Sequence, residues 1–127
     1  MIFIIFGCTN DKYKFDKIKK KSNITFPNKS TIIIFNDDLE HNLTFKVYMD
    51  KSQLYNFLKK NQFKKIDTLQ INPLTRSNTI KLFIKDVENS FISKEKIYGK
   101  NLQILQNKKG VLIVNCDTYE LWGLVSN

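Results

Sequence analysis

A chain of 127 residues that is 42% hydrophobic, with ten Phe and five Tyr, is long enough to bury one core and too apolar to remain disordered. Its formal net charge of +9 draws anionic partners, but Arg76 is the only Arg, and Lys lacks the planar fork that grips guanine, which counts against sequence-specific DNA reading. Cys8, Cys116 and the single histidine, His41, are too few for a disulfide framework or a paired-cysteine zinc site. Richness in Lys, Asn, Ile and Phe with little Arg, Ala or Gly is also the product of an AT-rich genome, so part of the basicity is attributable to codon usage.

Met1 to Phe6 is an uncharged apolar run, broken by Gly7-Cys8 and the polar Thr9-Asn10-Asp11. It is far short of the roughly 20 apolar residues that span a bilayer as a helix. Two readings fit it. One is the first, fully buried strand of a cytosolic domain. For the other, the stretch Ile5-Phe6-Gly7-Cys8 resembles the lipobox of bacterial lipoproteins, in which an apolar, a variable and a small residue precede a cysteine. The resemblance implies that Cys8 is acylated and becomes the first residue of the mature protein in the bacterial cell envelope. With Thr9 rather than Asp after the cysteine, it also implies the outer membrane where the cell has two. No basic residue precedes the short apolar run, so residues 1–7 read as a truncated signal peptide. Only the lipoprotein reading requires a Gly-Cys where apolar meets polar, and it leads for that reason.

Residues 8–29 read as a lysine-rich tether, in which Lys12, Lys14, Lys17, Lys19, Lys20 and Lys21 are expected to lie near the membrane. Beside a lipid anchor each such Lys is worth about 1 kcal/mol against anionic headgroups. A plain solvated linker fits the same residues.

Residues 30–127 read as a single domain. Thr31 to Phe35 is a β-branched and aromatic strand, turned by Asn36-Asp37-Asp38 into the alternating run Leu43, Phe45, Val47, Met49, so the two form a hairpin with Glu40 and His41 in its solvated turn. Asp50 or Ser52 caps a helix with Leu54, Phe57 and Leu58 on one face. Ile66 to Ile71 reads as a strand ended by Asn72-Pro73, followed by a loop through Arg76 and Asn78. The alternation of Ile80, Leu82 and Ile84 predicts a further strand, and Asp86 to Tyr98 a loop or short helix. Leu102 to Leu105 and Val111 to Val114 read as strands joined through Asn107-Lys108-Lys109-Gly110, with Gly110 where φ turns positive. A second turn, Asn115 to Thr118, leads into Tyr119 to Val125. The expected fold class is α+β: a mainly antiparallel sheet of about five to seven strands with a C-terminal meander and one amphipathic helix on one face.

No catalytic or metal-binding residue is assigned. The four Gly are scattered and form no phosphate loop. Asp37-Asp38 with Glu40 lacks the spacing of a calcium loop, and Asp117 with Glu120 reads as solvated acids. Cys116 reads as an inert buried thiol. No cofactor and no small-molecule site are inferred. Two functions from different classes follow. One is a non-enzymatic envelope lipoprotein, held to the membrane by its lipid, whose domain binds an acidic protein partner in an accessory or toxin-neutralising role. The other is a soluble cytosolic module that binds nucleic acid through its lysines and aromatics such as Tyr48, Phe83 and Trp122. Core packing of those aromatics is the favoured alternative, which makes nucleic acid the weaker partner.

Overall fold

Two stretches, the alternating Leu43 to Val47 and the continuously apolar Leu121 to Val125, decide the architecture, because a strand puts successive side chains on opposite faces and the second stretch is buried on both. A computed structural model of the chain describes residues 2–38, 42–66, 78–90, 96–105 and 108–126, with residues 2–10, 103–105, 108 and 109 described by backbone alone. Its elements in chain order are α1 (Ile2–Ser22), β1 (Thr31–Asp37), β2 (Asn42–Tyr48), α2 (Lys51–Asn61), β3 (Lys64–Lys65), α3 (Asn78–Asn89), β4 (Ile97–Leu105), β5 (Lys108–Asn115) and β6 (Glu120–Ser126). The strands form one antiparallel six-stranded sheet in the order β1-β2-β6-β5-β4-β3, so the chain is an α+β fold with a C-terminal meander. The expectations for Glu40 and His41, for a strand beyond Ile66, for Asn72-Pro73 and for Arg76 lie outside the described residues, as does Asn107.

The central strands β2 and β6 pair Phe45 with Gly123. A Cβ on Gly123 would meet the Phe45 ring at 2.0 Å, so the absent side chain makes room for the ring to lie flat across the sheet. On this face Leu43, Phe45, Val47, Leu112, Val114, Leu121 and Val125 form one core with Ile18 of α1 and Leu54 and Phe57 of α2. On the opposite face Ile113, Trp122 and Leu124 form a second core with Ile80, Phe83 and Val87 of α3. The sheet therefore carries helices on both faces, three among the described residues, where the sequence predicts one helix on one face.

α3 replaces an expected strand. The run Ile80, Leu82, Ile84 satisfies a period of two, but Ile80, Phe83, Ile84 and Val87 also satisfy i, i+3, i+4, i+7, and the second set faces the sheet. Leu82 is left 61% exposed. The bare second face of the sheet decides between the two periods. The predicted loop or short helix from Asp86 to Tyr98 holds the end of this helix and the start of β4, with residues 91–95 outside the described set.

α2 begins where Asp50 predicts it: the carboxylate accepts a hydrogen bond from the Gln53 N–H at 2.9 Å. Gln62 then ends it in the left-handed region at φ 57°, its N–H bonded to the Leu58 carbonyl. Gly110 lies inside β5, not in a turn, and its φ is not positive. Its role is close approach, since a Cβ there would meet the Leu124 carbonyl oxygen at 2.8 Å.

Candidate functional site

The N-terminal segment departs most from expectation. Ile2 to Phe6 are helical, so they are not a core strand, and the same helix runs through Cys8 to Ser22. No helix among the described residues is long and apolar enough to cross a membrane. The lysine-rich stretch expected as a tether is ordered against the domain over its second half. Ile18 is fully buried, with Phe15 packed beside it. The Ser22 hydroxyl donates to the Ile18 carbonyl at 2.6 Å and accepts from the Ile24 N–H at 3.2 Å, and Asn23 at φ 56° ends the helix. Three basic residues in the last turn, Lys19, Lys20 and Lys21, complement the negative end of the helix dipole. Beyond the helix, Phe26 stacks on Phe57 with ring centres 5.3 Å apart and meets Phe45 edge-on.

The fold sorts the six lysines of that segment into two groups. Lys17 makes an ion pair with Asp37, which raises its pKa above the ordinary lysine value, and Lys21 lies 3.8 Å from the same carboxylate. Lys14 sits over the Phe35 ring. These three hold α1 to β1. Lys12, Lys19 and Lys20 point outward on the opposite stripe, with Asp16 and the 62% exposed Tyr13 between them.

The other expected acids are brought into separate pairs. Asp38 closes the β1–β2 turn by accepting from the Asn42 backbone and side-chain N–H groups, each at 2.8 Å. Glu120 pairs with Lys46 at 3.2 Å, and Asp117 with Lys96 at 3.1 Å, so Asp117 and Glu120 do not face a common site. Lys46 also lies 3.5 Å from Asp86 and over the Trp122 ring, whose indole N–H donates to Asp86 at 2.7 Å. That cluster borders a small groove of about 270 Å³ beside α3, roofed by Ile34 and Leu82. Lys46 bridges the two carboxylates and the indole N–H holds Asp86 from the sheet, so the cluster leaves no unpaired cation and acts as a latch between α3 and the sheet. Phe83 and Trp122 are buried, and of the three aromatics considered for nucleic-acid stacking only Tyr48 is exposed.

A larger cleft of about 640 Å³ opens on the other face of the sheet, between α2 and the β5–β6 turn. Lys51, Tyr55 and Lys59 line it from α2 at helical spacing, one every four residues, with Leu58 and Phe63 as its apolar floor. Lys96 and Tyr98 at the start of β4 form one side, and Cys116 and Tyr119 of the turn form the other. The turn is firmly built. Asn115, fully buried, donates from its side chain to the Ser90 carbonyl and accepts from the Asp117 N–H, both at 2.9 Å. The Cys116 N–H bonds the Lys96 carbonyl at 2.9 Å.

Tyr119 ends the turn at φ 60°, in the left-handed region that Gly or Asn adopts readily. A bulky side chain there costs about 1–2 kcal/mol. Its backbone is held by the Tyr119 N–H to the Asn115 carbonyl and by the Met49 N–H to its own carbonyl. Electrostatics in the cleft are one-sided. The hydrogen bond to Asp117 raises the Lys96 pKa, with Tyr55 and Tyr119 adding in the same direction. Burial, and then the Asp117 charge, push the Cys116 thiol up, so it stays protonated near neutrality.

The sequence reading missed this cleft because its tyrosines lie 43 and 21 residues apart along the chain (55 to 98, 98 to 119), and only the fold unites them. Comparison of the chain with protein-family models, with curated proteins and with solved structures finds no match in any of the three.

Proposed function

We propose that the chain is a small, non-enzymatic lipoprotein of the bacterial cell envelope, attached through Cys8, whose domain binds another macromolecule in an accessory or toxin-neutralising role. The observation that carries this reading is the Gly7-Cys8 step at the boundary from apolar to polar sequence, with Lys12, Lys19 and Lys20 on the outward stripe of the helix that continues from it. Cleavage before Cys8 leaves the acyl group ten residues from buried Ile18, a helical rise of about 15 Å. A free tether over residues 8–29 would instead wander over about 25 Å. The docked helix keeps the domain close to the lipid surface, with its outward lysines near anionic headgroups.

The soluble nucleic-acid reading has less support, since Phe83 and Trp122 are spent on the core. Metabolic labelling with a palmitate analogue in a bacterial host tests the anchor. The chain should take up label and fractionate with membranes, and Cys8→Ser should abolish both. An unlabelled, soluble wild-type protein would refute the reading.

A further inference from the structure

We infer that the cleft between α2 and the β5–β6 turn is the partner site of the domain and that its occupant is an acidic peptide segment of another protein. The inference rests on the binding-protein reading above but not on the lipid. The charge balance points to an anion. Lys51, Lys59 and Lys96 border the cleft and Asp117 is the only carboxylate paired there, so two ammonium groups have no ion-pair partner among the described residues. Lys46, by contrast, meets two carboxylates, Asp86 and Glu120.

The aromatics make the site suited to protein side chains. Tyr55 is 57% exposed, and Tyr98 and Tyr119 are half-buried, so each offers ring surface together with a hydroxyl. Tyr119 borders the cleft with a ring that also packs against the sheet-face core. Asn or Gly would close the same turn with the same backbone hydrogen bonds and without strain, so the structure holds a ring in the cleft at a cost to the backbone. Nucleic acid is the poorer occupant. A strand with one charge on every nucleotide needs an uninterrupted cationic track, whereas Asp117 already occupies one of the three lysines, Lys96. An acidic peptide can space its carboxylates around it, and the apolar floor of Leu58 and Phe63 accepts the residues between them.

The test uses the full chain carrying Cys8→Ser, so that acylation plays no part. The probe is a short fluorescein-labelled peptide of alternating Glu and Leu, compared with an oligothymidine of similar charge. Fluorescence anisotropy should show saturable peptide binding that weakens about tenfold or more in Lys59→Glu and in Tyr55→Ala, both exposed positions whose change leaves the fold intact. Tyr119→Asn should weaken it too while keeping a cooperative melt, and Lys81→Glu on α3 should leave it unchanged. Absence of saturable peptide binding overturns the proposal. So does equal loss in Lys81→Glu, or an oligothymidine that binds more tightly and depends on Lys59. Because the protein is unacylated throughout, failure here is separable from failure of the palmitate experiment.

Discussion

Truncation of Ile18 to Ala separates a docked helix from a tether. Ile18 is fully buried against the sheet-face core beside Phe15 and Ile24. Removing buried methyl and methylene groups from such a site costs about 2–5 kcal/mol, and the better helix propensity of Ala returns roughly 0.4 kcal/mol, leaving a net loss of about 1.5–4.5 kcal/mol. For a chain of this size the midpoint temperature should fall by about 10 °C. In a solvated tether the same change would stay within about 0.5 kcal/mol. Urea unfolding followed by Trp122 fluorescence is the informative assay, because Trp122, the only tryptophan, lies in the core on the opposite face of the sheet. A shift seen there means that losing contacts of α1 destabilises the whole domain. Lys19→Ala, one residue along and pointing outward, is the control and should leave the midpoint within error. An unchanged midpoint in Ile18→Ala, with the slope also unchanged, would show that α1 is not part of the cooperative unit.

Three further outcomes follow from the packing. Lys46→Met leaves Asp86 and Glu120 facing each other without their shared cation and should lose about 1–3 kcal/mol, part of which returns when Glu120→Gln is added, as a double-mutant cycle in urea will register. Gly123→Ala forces a methyl into the Phe45 ring and should cost about 1–3 kcal/mol, with Phe45→Leu in the same chain recovering some of it; a neutral Gly123→Ala would mean that the ring does not lie there. The Asp50 carboxylate is held below its ordinary value of 3.8 by the Gln53 N–H and then the Ser52 hydroxyl, so its contribution to stability is present above that value and is lost as pH falls through the lower folded one. Thermal melts of wild type and Asp50→Ala should therefore differ at neutral pH and converge in that acid window, and a constant gap would count against the cap.

The hairpin, the capped helix after Asp50 and the C-terminal meander were readable from the sequence because each rests on neighbours within a few residues: an alternation, a carboxylate before a periodic run, a turn between two apolar stretches. Where two local patterns coexisted, tertiary contact decided. Ile80 to Val87 fits both periods, and it became α3 because the second face of the sheet, carrying Ile113, Trp122 and Leu124, needed cover. Lys12 to Lys21 reads as solvated by charge alone, yet Phe15, Ile18 and Ser22 recur at intervals of three and four and drew the helix onto the domain. The cleft had no local signature at all. Tyr55, Tyr98 and Tyr119 come from a helix, a strand and a turn, and their meeting follows from the pairing of β4 with β5 and β5 with β6. Sequence by itself determined which segments carry charge, periodicity and caps, since those are short-range properties. Which faces became core, and which lysines remained without an acid, was settled only by long-range burial.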